Sequence, residues 1–386
     1  MAENQNAPAV FAKSLKKIFA NNKNPALDSV ALNGIDLVVP KGGLVSLVGP
    51  DGAGKTTFMR LVCGLLIPTS GKLEVFGMNT ATDAEAIQKR IAYMPQRFGL
   101  YQDLSIKENM DLFANLQGVP EGERKDKYGQ LLSMTDLAPF ANRLAGKLLL
   151  HTPRKLALAC ALIHDPELLI LDEPTAGVDP VSREELWKIL KAAVAQKGMS
   201  VLVSTAYLDE AAMCHDVYII NKGVILAQGT PEALTEPYKN RVYFARADGR
   251  TPRQMLDLAS HSSMILDSTP SGDGVRLLLK KDADLTEAAK ELDIPELSPQ
   301  PPRLEDAFMS LLIAADKPQK DFGENAGIEN TKIDDGKPVI LVENLVKKFG
   351  NFVAVDDTSF SVKRGEIFGL LGPNGAGKTT TFRILC

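Results

Sequence analysis

Apolar and polar positions form two different patterns along the chain. Three short runs are almost wholly apolar: LVSLV (44–48), LLILD (168–172) and VLVST (201–205). Such runs are typical of strands that are buried on both faces of a parallel sheet. Segments 103–116 and 121–137 instead carry apolar residues at helical spacing. Strands that alternate with helices predict an α/β fold.

The pattern of predicted strands and helices changes after residue 236. Just before that point, residues 217–234 predict a β-hairpin whose turn is formed by Asn221, Lys222 and Gly223. Beyond it, short strand patterns alternate with helical ones, which predicts a small α+β accessory domain. The predicted strands are 241–245, 263–267 and 274–280, and the predicted helices are 251–260, 285–292 and 301–312.

A polar stretch separates the accessory domain from the last part of the chain. Residues 316–338 are rich in Gly, Asn and Asp and have no periodic apolar positions, so we predict a linker there. The residues that follow repeat the beginning of the chain. The predicted domains are therefore 1–236, 237–315, 316–338 and 339–386.

The repeat is clearest in one glycine-rich motif. GPDGAGKTT begins at Gly49 and GPNGAGKTT begins at Gly372, and each follows an apolar run predicted to be a strand, at 44–48 and 367–371. Both copies fit G-x-x-x-x-G-K-[ST], the phosphate-binding loop between a strand and a helix. Duplication of a whole unit is the simplest explanation. We expect a truncated second unit, because the sequence contains only its opening.

The residue types of the first loop explain how it would bind phosphate. Its three glycines are expected to take positive φ angles, so that backbone N–H groups surround an anion at a helix N-terminus. Lys55 supplies a positive charge for the β- and γ-phosphates, and Thr56 offers a hydroxyl to Mg²⁺. A glycine-rich turn without a ligand is the alternative.

The predicted nucleotide-binding residues come from both copies of the motif. The first copy supplies Gly49, Pro50, Asp51, Gly52, Ala53, Gly54, Lys55, Thr56 and Thr57. The second copy supplies Gly372, Gly375, Gly377, Lys378, Thr379 and Thr380.

Two carboxylates follow the second buried strand. Asp172 can hold Mg²⁺ through water, and Glu173 can act as a general base on the attacking water. A strand that ends in an ordinary acidic turn is the alternative. Taken with the loop, these residues predict a P-loop protein that binds a nucleotide together with Mg²⁺.

These motifs resemble those of the ATP-binding cassette (ABC) ATPases, in particular the tandem-cassette drug-efflux type, whose halves are similar to daunorubicin-resistance ATPases. The resemblance implies a P-loop core with a helical subdomain. It assigns Gln96 to the glutamine that contacts Mg²⁺ and couples to the membrane partner, and Asp179 to the D-loop aspartate. Phe19 and Phe349 match the aromatic residue that stacks on adenine. A phenylalanine of the surface or core is the alternative for Phe19.

The sequence departs from the family pattern at two places. Leu149, Leu150 and His151 stand where the resemblance implies the serine and two glycines of the signature motif, which contact the γ-phosphate across a dimer. Ala206 stands where the family has a switch histidine, and alanine cannot hydrogen-bond the γ-phosphate. Both departures predict a cassette that binds ATP better than it hydrolyses it.

Composition narrows the range of functions. The net charge of −4 argues against binding to nucleic acid through bulk electrostatics. No run of eighteen or more apolar residues occurs, and the polar first ten residues lack a secretory signal pattern. The four cysteines show no CxxC pairing, which fits reduced thiols. These features predict a cytoplasmic protein.

The resemblance implies the ATP-binding and ATP-hydrolysing subunit of an ABC exporter, located at the inner face of the cell membrane. Its expected partners are separate transmembrane permease subunits and a second cassette, either in the same parent chain or in a dimer. One alternative is a ribosome-associated tandem-cassette translation factor; the other is a nucleotide-binding regulator without turnover. The region between the cassettes carries more acid than base, whereas a ribosome-binding linker should be basic.

Overall fold

The structure is a computed structural model of the 386-residue chain. It describes residues 7–20, 28–148, 152–246, 249–294, 297–315, 338–350, 352–372 and 375–385. These residues form two compact units. The first unit draws on Met1–Gln96, Pro166–Pro174 and Val194–Pro318, and the second on Arg97–Asp165, Thr175–Ala193 and Gln319–Cys386.

The helices and strands of the first predicted domain alternate as the sequence pattern indicates. In chain order they are β1 (Val10–Phe19), β2 (Ser29–Val39), β3 (Leu44–Val48), α1 (Lys55–Val62), β4 (Ser70–Val75), β5 (Met78–Asn79), α2 (Ala84–Gln88), β6 (Ile91–Met94), α3 (Ile106–Leu116), α4 (Glu121–Met134), α5 (Thr152–Ala161), β7 (Leu168–Asp172), α6 (Pro180–Lys197), β8 (Ser200–Thr205), α7 (Leu208–Ala211), β9 (Asp216–Asn221), β10 (Val224–Gly229) and α8 (Pro231–Thr235).

A six-stranded sheet forms the centre of the first unit. Its order is β10-β9-β3-β8-β7-β6, and every neighbouring pair is parallel except β10 with β9. The apolar runs β3, β7 and β8 are buried along their whole length. Because parallel strands end at the same edge of the sheet, the residues that follow these three strands meet there.

A second, antiparallel sheet of order β2-β1-β4-β5 belongs to the same unit. Its inner residues share one apolar core with α1 and the central sheet, and that core includes Leu32, Phe58 and Ile170. The core therefore fixes α1, and with it the loop before α1, relative to both sheets. The predicted hairpin is present as β9 and β10, with Lys222 at φ +46° and Gly223 at φ +75° in the turn.

The accessory region has a β-α-β-β-α-β order. Its elements are β11 (Val242–Arg246), α9 (Pro252–His261), β12 (Ile265–Ser271), β13 (Gly274–Leu279), α10 (Leu285–Glu291) and β14 (Ser298–Pro299), followed by α11 (Leu304–Ala315). The sheet order is β12-β13-β11-β14, and all pairs are antiparallel. This is the ferredoxin-like arrangement.

Helix α11 attaches the accessory sheet to the rest of the first unit. Leu304 shares a buried cluster with Leu234 and Ile219, and Ala307 packs with Leu278 of β13. Asp306 of the same helix forms a buried ion pair with Arg276 of β13, at 2.7 Å. A buried pair of this kind costs desolvation, but losing one partner costs more.

In the second unit, α3 begins with a capping box. The Ser105 hydroxyl accepts from the Glu108 N–H, and the Glu108 carboxylate accepts from the Ser105 N–H. Lys155 of α5 reaches Glu185 of α6 at 2.8 Å. Asp179 is the N-cap of α6, because its carboxylate accepts from the N–H and hydroxyl of Ser182.

The repeated copy of the motif also lies in the second unit. Strands β15 (Pro338–Phe349) and β16 (Phe352–Lys363) form a hairpin, and α12 (Lys378–Leu385) starts at the motif lysine. The prediction of a strand at 367–371 is wrong: Ile367 is 97% and Leu371 93% exposed, and the segment is not extended into a strand. A buried parallel strand needs neighbours on both sides, and within the described residues the sheet here has two strands.

No helix in the described part of the chain combines the length and the apolar character needed to span a membrane.

Candidate functional site

The glycines of the first loop are required for two different reasons. Gly54 has φ +108°, and a Cβ atom there would lie 2.6 Å from the Ala31 carbonyl oxygen. At Gly49 a Cβ atom would lie 2.1 Å from the Ile220 carbonyl oxygen of β9, although the φ angle of Gly49 is not positive. The expectation of a positive φ is therefore wrong for Gly49, where lack of space requires glycine. Gly52 has φ +77° and open space around it.

Lys55 is the first residue of α1 and turns back over the loop. Its Nζ donates to the carbonyl oxygens of Gly49 at 2.7 Å and Pro50 at 3.1 Å. The same Nζ lies 3.2 Å from Oε1 of Glu173, and the lysine side chain is 5% exposed. The ammonium therefore lies at the point where the loop after β3 meets the carboxylate after β7.

Asp172 is the last residue of β7 and is 1% exposed. The Ser204 hydroxyl of β8 donates to its Oδ1 at 2.6 Å, and the Tyr93 hydroxyl of β6 donates to its Oδ2 at 3.4 Å. Burial, followed by the charge of Asp172, raises the pKa of Tyr93 to about 12, so this phenol remains a donor. The two neighbouring strands thus fix the orientation of the carboxylate.

Glu173 follows Asp172 in an uncommon backbone conformation. Its φ is +49°, and its N–H donates to both the hydroxyl (3.0 Å) and the carbonyl oxygen (3.1 Å) of Ser204. A non-glycine residue at positive φ persists only where its surroundings hold it. Gln96 Nε2 donates to Oε2 of Glu173 at 3.0 Å. With Lys55 on Oε1, both carboxylate oxygens accept from a donor.

These residues open into a cleft of about 490 Å³ in the first unit. Its lining consists of Phe19, Ser29, Val30, Ala31, Asp51, Gly52, Ala53, Gly54, Lys55, Thr56, Thr57, Gln96 and Glu173. Phe19 ends β1 and is 42% exposed. The structure thus brings Phe19, loop residues 51–57, Gln96 and Glu173 of the predicted set to one cleft, whereas Gly49, Pro50 and Asp172 are not part of its lining.

The predicted residues of the second loop belong to the second unit, around the start of α12. Gly377 has φ +87°, and a Cβ atom there would lie 2.3 Å from the Ala354 carbonyl oxygen, which repeats the relation of Gly54 to Ala31. Lys378 Nζ donates to the Gly372 carbonyl oxygen at 2.5 Å, as Lys55 does to that of Gly49. The described residues of the second loop therefore repeat these two contacts of the first loop.

Of the two departures from the family pattern, the structure describes only the one at Ala206. Leu149, Leu150 and His151 lie outside the described residues. Ala206 directly follows β8 and is exposed. His215 is exposed as well, and its Nδ1 accepts from the Leu44 N–H at 3.1 Å, so it does not replace the missing histidine in the cleft.

Sequence reasoning missed Ser204 and Tyr93. Ser204 is a polar residue inside the apolar run 200–205, and such a residue in a buried strand signals a specific partner. Tyr93 lies three residues before Gln96 on β6 but carries no motif of its own. Neither the spacing nor the residue type indicates that both hydroxyls reach Asp172.

The donor set fits Mg²⁺. Thr56 offers a hydroxyl, Gln96 an amide, and Asp172 a carboxylate, and oxygen ligands of this kind are the ones that Mg²⁺ prefers. The carboxylate is already oriented by Ser204, which suits a metal bound through water.

Comparisons with known proteins agree with this geometry. The profile of the ABC transporter family matches residues 32–176 and 355–386. The Nod factor export ATP-binding protein I of Rhizobium sp. (strain N33) is 30% identical over 293 residues, which cover 74% of this chain and 92% of that protein. The chain belongs to the ABC transporter family.

Two further relatives of this ABC chain are named for multidrug transport or drug resistance. The probable multidrug ABC transporter ATP-binding protein YbhF of Escherichia coli (strain K12) is 44% identical over 364 residues, and these cover 94% of this chain and 62% of that protein. The daunorubicin resistance ATP-binding protein DrrA3 of Streptomyces coeruleorubidus is 36% identical over 208 residues, or 54% of this chain and 66% of that protein. The predicted resemblance to the drug-efflux subgroup is confirmed.

A solved ATP-binding subunit of an ABC transporter shares the fold. It superposes with a TM-score of 0.52 at 28% identity and covers 59% of this chain and 92% of that one. The prediction of an ABC-type P-loop core in an α/β chain is confirmed. Members of this family generally hydrolyse ATP.

Proposed function

We propose that the chain binds MgATP in the cleft after β3 and β7 and hydrolyses it to drive an exporter. The observation that carries this proposal is the meeting of Lys55 with Glu173 at 3.2 Å, beside the oriented carboxylate of Asp172. A cation, a general base and a metal-binding carboxylate are what phosphoryl transfer to water requires.

Each side chain has a distinct task in this mechanism. Lys55 binds the β- and γ-phosphates, and the N–H groups around Gly52 and Gly54 surround them. Glu173 accepts a proton from the attacking water through a carboxylate oxygen, and Gln96 holds that carboxylate in place. Phe19, which lines the same cleft, stacks on the base.

Thr56, Gln96 and Asp172 would hold Mg²⁺, which would supply positive charge against the negative charge that develops on the phosphates. The chain's own contribution is orientation. Asp172 is fixed by Ser204 and Tyr93, so it needs little reorganisation on binding.

Turnover by the chain alone is proposed to be slow. Ala206 has no group that can contact the γ-phosphate, and Leu149, Leu150 and His151 lack the serine and glycines of the signature. Both losses act mainly on the transition state, so binding should be affected less than hydrolysis.

The partners and location are part of the same proposal. The chain spans about 62% of the YbhF relative's length, and that protein is named as a multidrug transporter component. We therefore assign separate transmembrane permease subunits, a second cassette in the same parent chain or in a dimer, and the inner face of the cell membrane. The domains 1–236, 237–315, 316–338 and 339–386 are proposed on the same basis. The ribosome-associated alternative is not favoured, since the relatives are named as transporter components.

Co-purification tests this function. The tagged full chain, expressed in its own cells, should bring membrane permease subunits with it after detergent extraction, in an amount that rises with MgATP. Ribosomal proteins in their place would contradict the exporter assignment and support the translation factor. A chain that binds MgATP but captures neither would leave the regulator without turnover as the better description.

A further inference from the structure

Lys17 lies two residues before Phe19 at the end of β1, where the pairing with β2 is irregular between Lys17 and Ile18. Lys17 Nζ lies 5.1 Å from the centroid of the Phe19 ring, within the range of a cation–π contact. The same Nζ donates to the Ile67 carbonyl oxygen at 2.9 Å. The ammonium is therefore held between a carbonyl oxygen and the aromatic ring.

The acceptor of this hydrogen bond is itself attached to β1. The Thr69 N–H donates to the Lys16 carbonyl oxygen at 2.9 Å, and the Ile18 N–H donates to the Thr69 hydroxyl oxygen at 2.9 Å. Because segment 67–69 is tied to the strand in this way, the Ile67 oxygen keeps its position relative to the ring. The Lys17 ammonium is thus anchored at a defined place beside Phe19.

An anchored ammonium restricts a ring that would otherwise be mobile. Phe19 is 42% exposed, ends its strand, and lines the same cleft as the phosphate loop. An exposed side chain retains rotamer freedom, which a ligand that stacks on it must remove. A cation held beside the ring lowers that cost, because it restricts the ring before the ligand binds.

The second copy has the same pair. Lys347 lies two residues before Phe349 at the end of β15, and its Nζ is 5.5 Å from the ring centroid. The residue between the pair differs, Ile18 in one copy and Lys348 in the other. The contact therefore recurs although the sequence around it has changed.

We propose that Lys17 is a positioning residue for the nucleobase: it holds the Phe19 ring in the orientation on which the base stacks, without touching the nucleotide. This inference rests on the proposed function. Under this inference Lys17 contributes to binding of the base, through the Phe19 ring, whereas Lys55 contributes to binding of the phosphates.

The test compares two ligands on the full chain by calorimetry: MgATP, and magnesium tripolyphosphate, which has no base. Lys17→Met should weaken MgATP binding about two- to five-fold, the equivalent of the ~0.5–1 kcal/mol of an exposed cation–π contact. Tripolyphosphate binding should not change. Lys16→Met, which removes an exposed charge from the same strand, should change neither, and Lys17→Arg should retain the affinity for MgATP.

A double-mutant cycle with Phe19→Ala completes the test, because Lys17→Met should have no further effect once the ring is absent. Equal losses for both ligands would overturn the inference, since Lys17 would then act on the phosphates. So would an unchanged affinity of Lys17→Met for MgATP, or a full effect in the Phe19→Ala background. An unmodified chain that binds neither ligand would overturn the proposed function and this inference with it.

Discussion

The Lys55 ammonium and the Glu173 carboxylate form an ion pair of 3.2 Å with side chains only 5% and 14% exposed. The pair joins a residue of α1 to the end of β7, and Gln96 binds the other carboxylate oxygen. A nucleotide that draws Lys55 to its phosphates would change the environment of the proposed base. In the proposed mechanism, this one contact would therefore link nucleotide binding to catalysis.

Lys55→Ala should weaken MgATP binding roughly ten- to hundred-fold, because a charged hydrogen bond is worth about 1.5–3 kcal/mol. Calorimetry on both forms measures the change. Lys378→Ala removes the equivalent lysine of the second loop and serves as the matched control, which should retain the affinity of the first cleft. Equal affinity in Lys55→Ala would contradict the assignment of the loop as the nucleotide site.

Glu173→Gln should keep the affinity for MgATP and bring the slow turnover of the chain down to background, since an amide cannot accept the proton of water. Asp172→Asn should instead weaken the dependence of binding on Mg²⁺. Steady-state turnover and a magnesium titration distinguish the two variants. If Glu173→Gln hydrolysed ATP at the original rate, a different base would have to act.

Ser204→Ala should lower the free energy of unfolding by about 1–3 kcal/mol, because it removes the 2.6 Å hydrogen bond to the buried Asp172. Urea denaturation measures this change. Ser46→Ala is the control: within the described residues the buried Ser46 hydroxyl has no hydrogen-bond partner, so its loss should be neutral or stabilising. Similar effects of both substitutions would show that Ser204 does not orient the carboxylate.

Gly49→Ala should destabilise the chain by about 3 kcal/mol, since its Cβ atom would lie 2.1 Å from the Ile220 carbonyl oxygen of β9. Gly52→Ala should destabilise the chain by only about 1 kcal/mol, the cost of placing alanine at φ +77°, because no atom lies within 4 Å of the added Cβ atom. Thermal unfolding of the two variants gives the comparison. The reverse order of stability would contradict the close approach of this loop to β9.

The unmodified chain should hydrolyse ATP barely above background. Leu149→Ser, Leu150→Gly and His151→Gly together with Ala206→His should raise turnover in a form able to dimerise, because they restore contacts made mainly in the transition state. Phosphate release measures the rate, and addition of Glu173→Gln to the four changes should abolish the gain. Robust cooperative hydrolysis by the unmodified chain would show that neither departure impairs function.

The sequence by itself determined the features that depend on local pattern. The apolar runs 44–48, 168–172 and 200–205 specify buried strands, and the glycine–lysine spacing specifies a loop between strand and helix. Three strands and three helices of the α+β region were also predicted, but the two-residue strand β14 was not. The run 367–371 has the same local pattern but is not a strand, because a parallel strand also depends on its neighbours.

The tertiary structure alone decided which distant groups meet. Ser204 reaches Asp172 across 32 positions, and Gln96 reaches Glu173 across 77. The reason for glycine at Gly49 likewise lies in β9, far along the chain. A parallel sheet brings the ends of separate strands to one edge, and the order of those strands is set by packing of the whole core rather than by any single segment.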